Sequence, residues 1–290
     1  MAAIQALDVP AATPKGQRVP LDRRLLVGGV GLAIIVLAAL AAPLIAPFNP
    51  IEQHLDARLQ GPSGTYLLGT DNLGRDTLSR LLYGLRPSLI SGLAAVALAA
   101  VSGTVVGMLA GYFGRWADAV LSRLLDLLIA WPTIFLALAL VLVIGPGQFG
   151  VVLAIALAEL PIFARVMRAI TLSNVRGEHV EAARSMGASA PRIMVRHIFP
   201  FALSPLLVQF AIAAPLAVVA EASLGYLGLG TQPPAPSLGG ILSDAELYLS
   251  QTYSAAVFPI LTIALLVLSL TLIADGLQKM LDPRGAPVGL

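Results

Sequence analysis

The sequence predicts an all-α, polytopic membrane protein with six transmembrane helices, and three observations carry that expectation. Hydrophobic residues make up 57% of the chain and charged residues only 12%, for a mean hydropathy of +0.86; an average soluble domain is about 25% charged. Six long stretches are uncharged or nearly so, and Lys and Arg fall unequally on the segments that join them.

The elements follow in order. Residues 1–24 form a mostly polar tail carrying Lys15, Arg18, Arg23 and Arg24, after which residues 25–46 run 22 positions without a charge. That is about 33 Å of helix against a hydrocarbon core of about 30 Å. Ala39-Leu40-Ala41 looks like a signal-peptide cleavage site, but a signal h-region is only about 7–15 residues, which favours an uncleaved first span. Residues 47–86 form the first loop, and residues 87–275 hold five further candidate helices at 87–113, 127–144, 149–163, 201–220 and 255–274. Glu159 and Pro161 interrupt the end of the fourth of the six stretches. Gly103 and Gly107, four apart, would let two helices approach closely. Residues 276–290 are a C-terminal tail with Lys279 and Arg284.

Placing alternate connections on alternate sides puts fourteen Lys and Arg on one side and four on the other. The positive-inside rule therefore predicts that both termini are cytoplasmic and the 47–86 loop extracytoplasmic. The four outer arginines, Arg58, Arg75, Arg80 and Arg86, share their loop with Glu52, Asp56, Asp71 and Asp76. That loop is formally neutral and is expected to be a small packed element.

The segment 165–200 is too long for a plain connector and reads as a helical hairpin. One short helix covers roughly Glu178 to Met186 and stops at Gly187, a residue able to adopt the left-handed conformation that ends helices. A second begins at Ser189 as N-cap, with Ala190 and Pro191 in its first turn, and runs to Phe199 before Pro200. Ile193, Met194, His197 and Ile198 share one face, leaving Arg192 and Arg196 on another. Such an element must lie on lipid headgroups or dock on a partner, because its own propensity is too weak to hold it.

The string Glu181-Ala182-Ala183, then Gly187, then Ile198 and Pro200, resembles the EAA signature of ABC-importer permeases. The resemblance implies a type I importer architecture in which this hairpin is a coupling helix seated in a groove of a separate ATPase subunit. The outer string from Leu67 to Leu89, with Asp71, Gly74, Arg75, Asp76 and Arg80, resembles the motif of one subgroup, the second permease of dipeptide, oligopeptide and nickel importers. Its four charged residues can pair with one another while Asp76 caps the helix leading into the second span, so a structural role is expected. Glu221-Ala222-Ser223-Leu224-Gly225-Tyr226-Leu227-Gly228-Leu229-Gly230 resembles a further string of that subgroup. Glu221, ionisable and near a helix end within the membrane, is a functional candidate, or it hydrogen-bonds neighbouring helix ends. With the tail Asp275 to Arg284 the resemblance spans residues 25–284.

The family implies a bacterial inner-membrane location, a homologous second permease, two ATPase subunits that bind ATP and Mg, and an extracytoplasmic substrate-binding protein; no cofactor is expected on this chain. Peptides are the favoured substrate, with nickel or another small solute as the alternative. Net charge is only +2, far from the basic surface that nucleic acid demands. The chain has no cysteine, and its three histidines, His54, His179 and His197, make no metal-ligand spacing. Gly145-Pro146-Gly147-Gln148-Phe149-Gly150 lacks the Lys of a phosphate-binding loop, so no ATPase site is expected on this chain. The rival class is a proton-coupled transporter using Asp126 and Glu159, which would call for inverted repeats with broken helices.

Overall fold

Apolar stretches of this length have one way to satisfy their backbone polar groups away from water, which is to form helices. The computed structural model describes residues 22–281, so Lys15, Arg18 and Arg284 lie outside it. Ten α-helices occupy the described residues: α1 Arg23–Ile45, α2 Thr77–Phe113, α3 Arg115–Ile129, α4 Thr133–Ile144, α5 Gln148–Asn174, α6 Glu178–Ser185, α7 Ala190–Ile193, α8 Phe199–Tyr226, α9 Leu238–Glu246 and α10 Ser254–Leu281. Five helices are long and apolar enough to cross a membrane, α1, α2, α5, α10 and the run Ala190–Tyr226; the pair α3 and α4, bent by 96°, reaches that length only when taken together.

Three boundaries depart from expectation. The second span starts at Thr77 rather than 87, because Asp76 caps it by accepting the Ser79 N–H at 2.8 Å, and Pro87 lies inside the helix. The stretch 127–144 is broken at Ala130 to Pro132, since the residue before a proline is steered out of the helical region; α4, with 12 residues, is only about 18 Å long. By contrast, α5 passes unbroken through Glu159 and Pro161.

Small residues set the packing. An added Cβ on Gly103 would lie 2.6 Å from the Leu160 carbonyl, and one on Gly107 would lie 2.1 Å from that of Ala164. α2 and α5 therefore touch backbone to backbone and run in the same direction. α8 returns antiparallel, with Gly92 against Val218, and the shared core includes Val96, Ile155, Phe163, Met167 and Leu224. α1 and α10 form an antiparallel pair on the flank, Gly28 against Ser269 and Gly276 against Leu25. Ion pairs Arg24–Asp275 at 3.2 Å and Lys279–Asp22 at 2.9 Å close one end of this pair. The Asp22 carboxyl is held below the usual carboxylate range by the Arg24 N–H and then by Lys279.

Pro43 in α1 cannot donate to the Ala39 carbonyl. Arg86 of α2 fills the gap, Nε donating to Ala39 at 2.6 Å and Nη2 to Leu40 at 2.9 Å. The start of α1 and the ends of α2, α5 and α10 thus share one end of the bundle, and α6 and α7 project there as the hairpin.

Candidate functional site

At the hairpin end, α5 stops at Asn174 and Gly177 turns the chain into α6, its N–H bonded to the Asn174 carbonyl at 2.9 Å. Glu178 and Glu181 fill the first turn of α6, where negative charge complements the helix dipole. The helix ends in a Schellman motif: the Ala188 N–H reaches the Ala183 carbonyl and the Gly187 N–H the Arg184 carbonyl, both at 3.0 Å, with Gly187 at φ +81°. An added Cβ there would meet nothing within 4 Å. Glycine is required by conformation, not by space.

The hairpin has an inside and an outside. Val180, Ala183, Ile193, Met194 and Ile198 are buried together in the main core, each large aliphatic contributing about 1.5–3 kcal/mol. Glu181, Ala182, Arg184, Met186, Gly187, Arg192 and Arg196 are exposed. The two alanines of the signature therefore divide: Ala182 faces out, while Ala183, 1% exposed, lets the hairpin close on itself rather than lining its outer contact. Glu181, its side chain 57% exposed, pairs only with Arg184 at 3.1 Å.

The second arm differs from a separate helix stopping before Pro200. Ser189 sits at the N-cap, but its side chain makes no capping bond. After Ile193 the chain widens into a π-turn, Met194–Ile198, in which the Phe199 N–H bonds to the Met194 carbonyl five residues back. It then continues directly into α8, with Pro200 exposed in the first turn. The wider turn accommodates a proline that can donate no hydrogen bond. Ile198 anchors this joint, fully buried, and makes the hairpin continuous with α8.

At the opposite end lies the outer charge cluster. Asp71 Oδ1 accepts from the backbone N–H groups of Leu73 and Arg75, both at 2.9 Å, and Oδ2 accepts from Arg75 Nε at 2.7 Å and from Arg80 Nη1. The second donors of both arginines converge on Asp244 Oδ2 of α9, at 3.1 and 3.0 Å. Gly74, at φ +74°, turns the chain so closely under His54 that a Cβ would lie 1.8 Å from its carbonyl oxygen. Asp76 is not part of the ion-pair set; its carboxylate accepts from the Ser79 N–H and hydroxyl. Asp244, at least 164 residues away, was not singled out from sequence, and only its place on the amphipathic α9 could have signalled it.

Within the membrane, Glu221 is 1% exposed on α8 beside Ser88 of α2, and Glu159 is 4% exposed on α5. Asp126, in contrast, is half exposed and paired with Arg165 at 2.7 Å. No hydrogen bond links Asp126 to Glu159 among the described residues.

Comparison with known proteins agrees with this geometry. Residues 103–286 match the family described as the binding-protein-dependent transport system inner membrane component, and residues 22–62 match the N-terminal TM domain of oligopeptide transport permease C. The chain is 41% identical over 258 residues to the dipeptide transport system permease protein DppC of Alkalihalophilus pseudofirmus, covering 88% of this chain and 85% of that one. It is 40% identical over 259 residues to the di/tripeptide transport system permease protein DppC of Pseudomonas aeruginosa, covering 87% and 86%. It is 42% identical over 258 residues to the glutathione transport system permease protein GsiD of Pectobacterium atrosepticum, covering 88% and 85%. A solved structure of the MetNI methionine ABC transporter, in an inward-facing conformation, superposes with a TM-score of 0.56 at 20% identity, covering 70% of this chain and 96% of that one. This last likeness shows the fold alone.

Proposed function

We propose that this chain, which belongs to the family of binding-protein-dependent transport system inner membrane components, is one of two different transmembrane subunits of an ATP-driven importer of di- or oligopeptides. The observation that carries the reading is the hairpin: a helix closed by Gly187, buried along one side and exposed along the other, joined through Ile198 and Pro200 to a crossing helix. Its exposed face, centred on Glu181 and Ala182, is the surface offered to an ATPase subunit. Peptides are favoured over nickel because the similar permeases carry dipeptide, di/tripeptide and glutathione in their names.

The positive-inside rule favours a cytoplasmic hairpin end and cytoplasmic termini, with fourteen Lys and Arg on that side against four on the other. The charge cluster and α9 then face the extracytoplasmic binding protein. The pathway forms between this chain and a homologous second permease, and two ATPase subunits supply nucleotide hydrolysis. Coupling requires ATPase state and permease state to bias one another through differential contacts, which a hairpin continuous with α8 provides. Deep in the bundle, Glu221 of α8 lies beside Ser88 of α2.

The test is purification of the tagged chain from gently solubilised membranes, identification of what accompanies it, and measurement of peptide-stimulated ATP hydrolysis. Recovery of a second permease and ATPase subunits, with activity stimulated by peptide-loaded binding protein, is the expected result. A chain that purifies alone and carries solute driven only by a proton gradient contradicts it.

A further inference from the structure

We propose that α3 is an interfacial helix that binds anionic lipid headgroups at the hairpin end of the bundle. α3 has two opposed faces. Asp118, Leu121, Ser122 and Leu125 turn toward the bundle, whereas Trp116, Val120, Leu124 and Leu127 point away from it, Trp116 at 77% exposure. Water would not stabilise such a face, and no other element of the described chain covers it.

The charges of α3 separate in the same way. Its two acids are taken by α5: Asp118 accepts from Arg168 Nε and, at 2.7 Å, from Nη2, and Asp126 pairs with Arg165 at 2.7 Å. Its two cations, Arg115 and Arg123, are exposed and have no acidic partner among the described residues. The outward side of α3 is therefore apolar and positive at once, the combination that suits a helix lying in the headgroup plane of an anionic membrane. A protein partner would need a matching apolar and acidic patch; an anionic bilayer presents both along its whole surface.

The depth fits as well. Arg165 and Arg168 follow the stretch 149–164 of α5, whose one charge is the buried Glu159, so their pairs hold α3 where hydrocarbon gives way to headgroups. The 96° bend before α4 then turns the chain from along the membrane to across it. The only two tryptophans of the chain, Trp116 and Trp131, bracket α3, and Trp131 is 61% exposed; indoles favour this same layer. Because Arg168 lies six residues before the end of α5 at Asn174, lipid held on α3 steadies the base of the hairpin. This inference rests on the membrane reading of the helices and not on ATPase docking.

The experiment uses the assembled transporter in nanodiscs containing either brominated phosphatidylcholine or brominated phosphatidylglycerol at equal fraction. Subtracting the fluorescence of a Trp116→Phe/Trp131→Phe transporter isolates the two indoles. Both brominated lipids should quench them, the anionic one more strongly, with a local enrichment of roughly fivefold per arginine that disappears in Arg115→Gln/Arg123→Gln. Spin-labelled phosphatidylglycerol should be immobilised by the unsubstituted transporter and released by the double arginine variant, a readout independent of the tryptophan changes. Indoles shielded from both lipids would overturn the proposal in favour of a protein partner on α3. Equal quenching by the two lipids, unchanged by the arginine substitutions, would overturn the headgroup binding. Peptide-stimulated ATP hydrolysis in the same discs scores the importer reading separately.

Discussion

The two ends of this molecule handle charge in opposite ways. At the outer cluster, Asp71, Arg75 and Arg80 have side chains only 9%, 8% and 5% exposed, and two carboxylates from distant segments answer the two guanidiniums. At the hairpin, Glu181 and Arg184 are about half exposed, and Arg192 and Arg196 have no acidic partner among the described residues. One end is complete within the chain and the other is unfinished. Buried charges must be matched internally or they destabilise the fold, whereas exposed ones cost little and remain available to a partner. The outer cluster is therefore chiefly structural, and the hairpin is the end we propose as the docking surface for another protein.

That contrast can be broken by substitution. The largest effect on stability is expected from Asp71→Ala, which leaves two buried guanidiniums facing Asp244 alone; a loss of about 3–5 kcal/mol should appear in thermal unfolding of the purified protein. Gly187→Val forces a β-branched residue to φ +81° at a cost of about 1–2 kcal/mol, confined to the hairpin. ATPase subunits should be lost on purification while the second permease is retained, and normal ATP-driven uptake by this variant would contradict the docking role.

The two helix starts sharpen the comparison. Asp76→Ala removes the bond to the Ser79 N–H and should cost about 1 kcal/mol. Ser189→Ala removes no capping bond and should leave the unfolding temperature unchanged.

A smaller effect depends on pH. Arg168 holds the Asp118 carboxyl below its usual range, chiefly by hydrogen bonding. Its stabilising contribution is therefore present above the unfolded value of about 3.9 and lost as pH falls through the lowered one. The stability gap between the unsubstituted protein and Asp118→Asn should be constant from about pH 7 to 5, under about 1 kcal/mol, and should close below about pH 4. Glu181→Lys should change stability by only a few tenths of a kcal/mol, about what an exposed pair contributes. It should nevertheless lower stimulated ATP hydrolysis while the protein inserts normally; failure to insert would make Glu181 structural.

Much of this was legible in the sequence because it is local. The run 25–46 is long enough to be one helix, Asp76 caps the residues that follow it, and Gly187 ends the helix that precedes it. What escaped is non-local. α2 starts ten residues earlier than its apolar stretch because Arg80 and Arg86, which read as loop charges, are satisfied by Asp71, Asp244 and the carbonyls of Ala39 and Leu40. The break at Trp131-Pro132 was masked by apolar residues on both sides, since hydropathy reports burial in lipid and not helix continuity. The continuity of α7 with α8 through Pro200 depends on a π-turn, which no composition signals. In the hairpin, the sequence singled out Glu181, Ala182 and Ala183 but not their sides: Ala182 out, Ala183 in.

That division supports the most direct measurement. The chain has no cysteine, so single substitutions Ala182→Cys, Met186→Cys and Ala183→Cys can each carry a short crosslinker in the assembled transporter. Ala182→Cys and Met186→Cys are expected to crosslink to an ATPase subunit, more weakly once nucleotide changes its seating, and Ala183→Cys should not crosslink. Crosslinks from Ala182→Cys only to lipid or to the second permease, with the ATPase subunits present, would contradict the assignment of the hairpin as the ATPase-docking element.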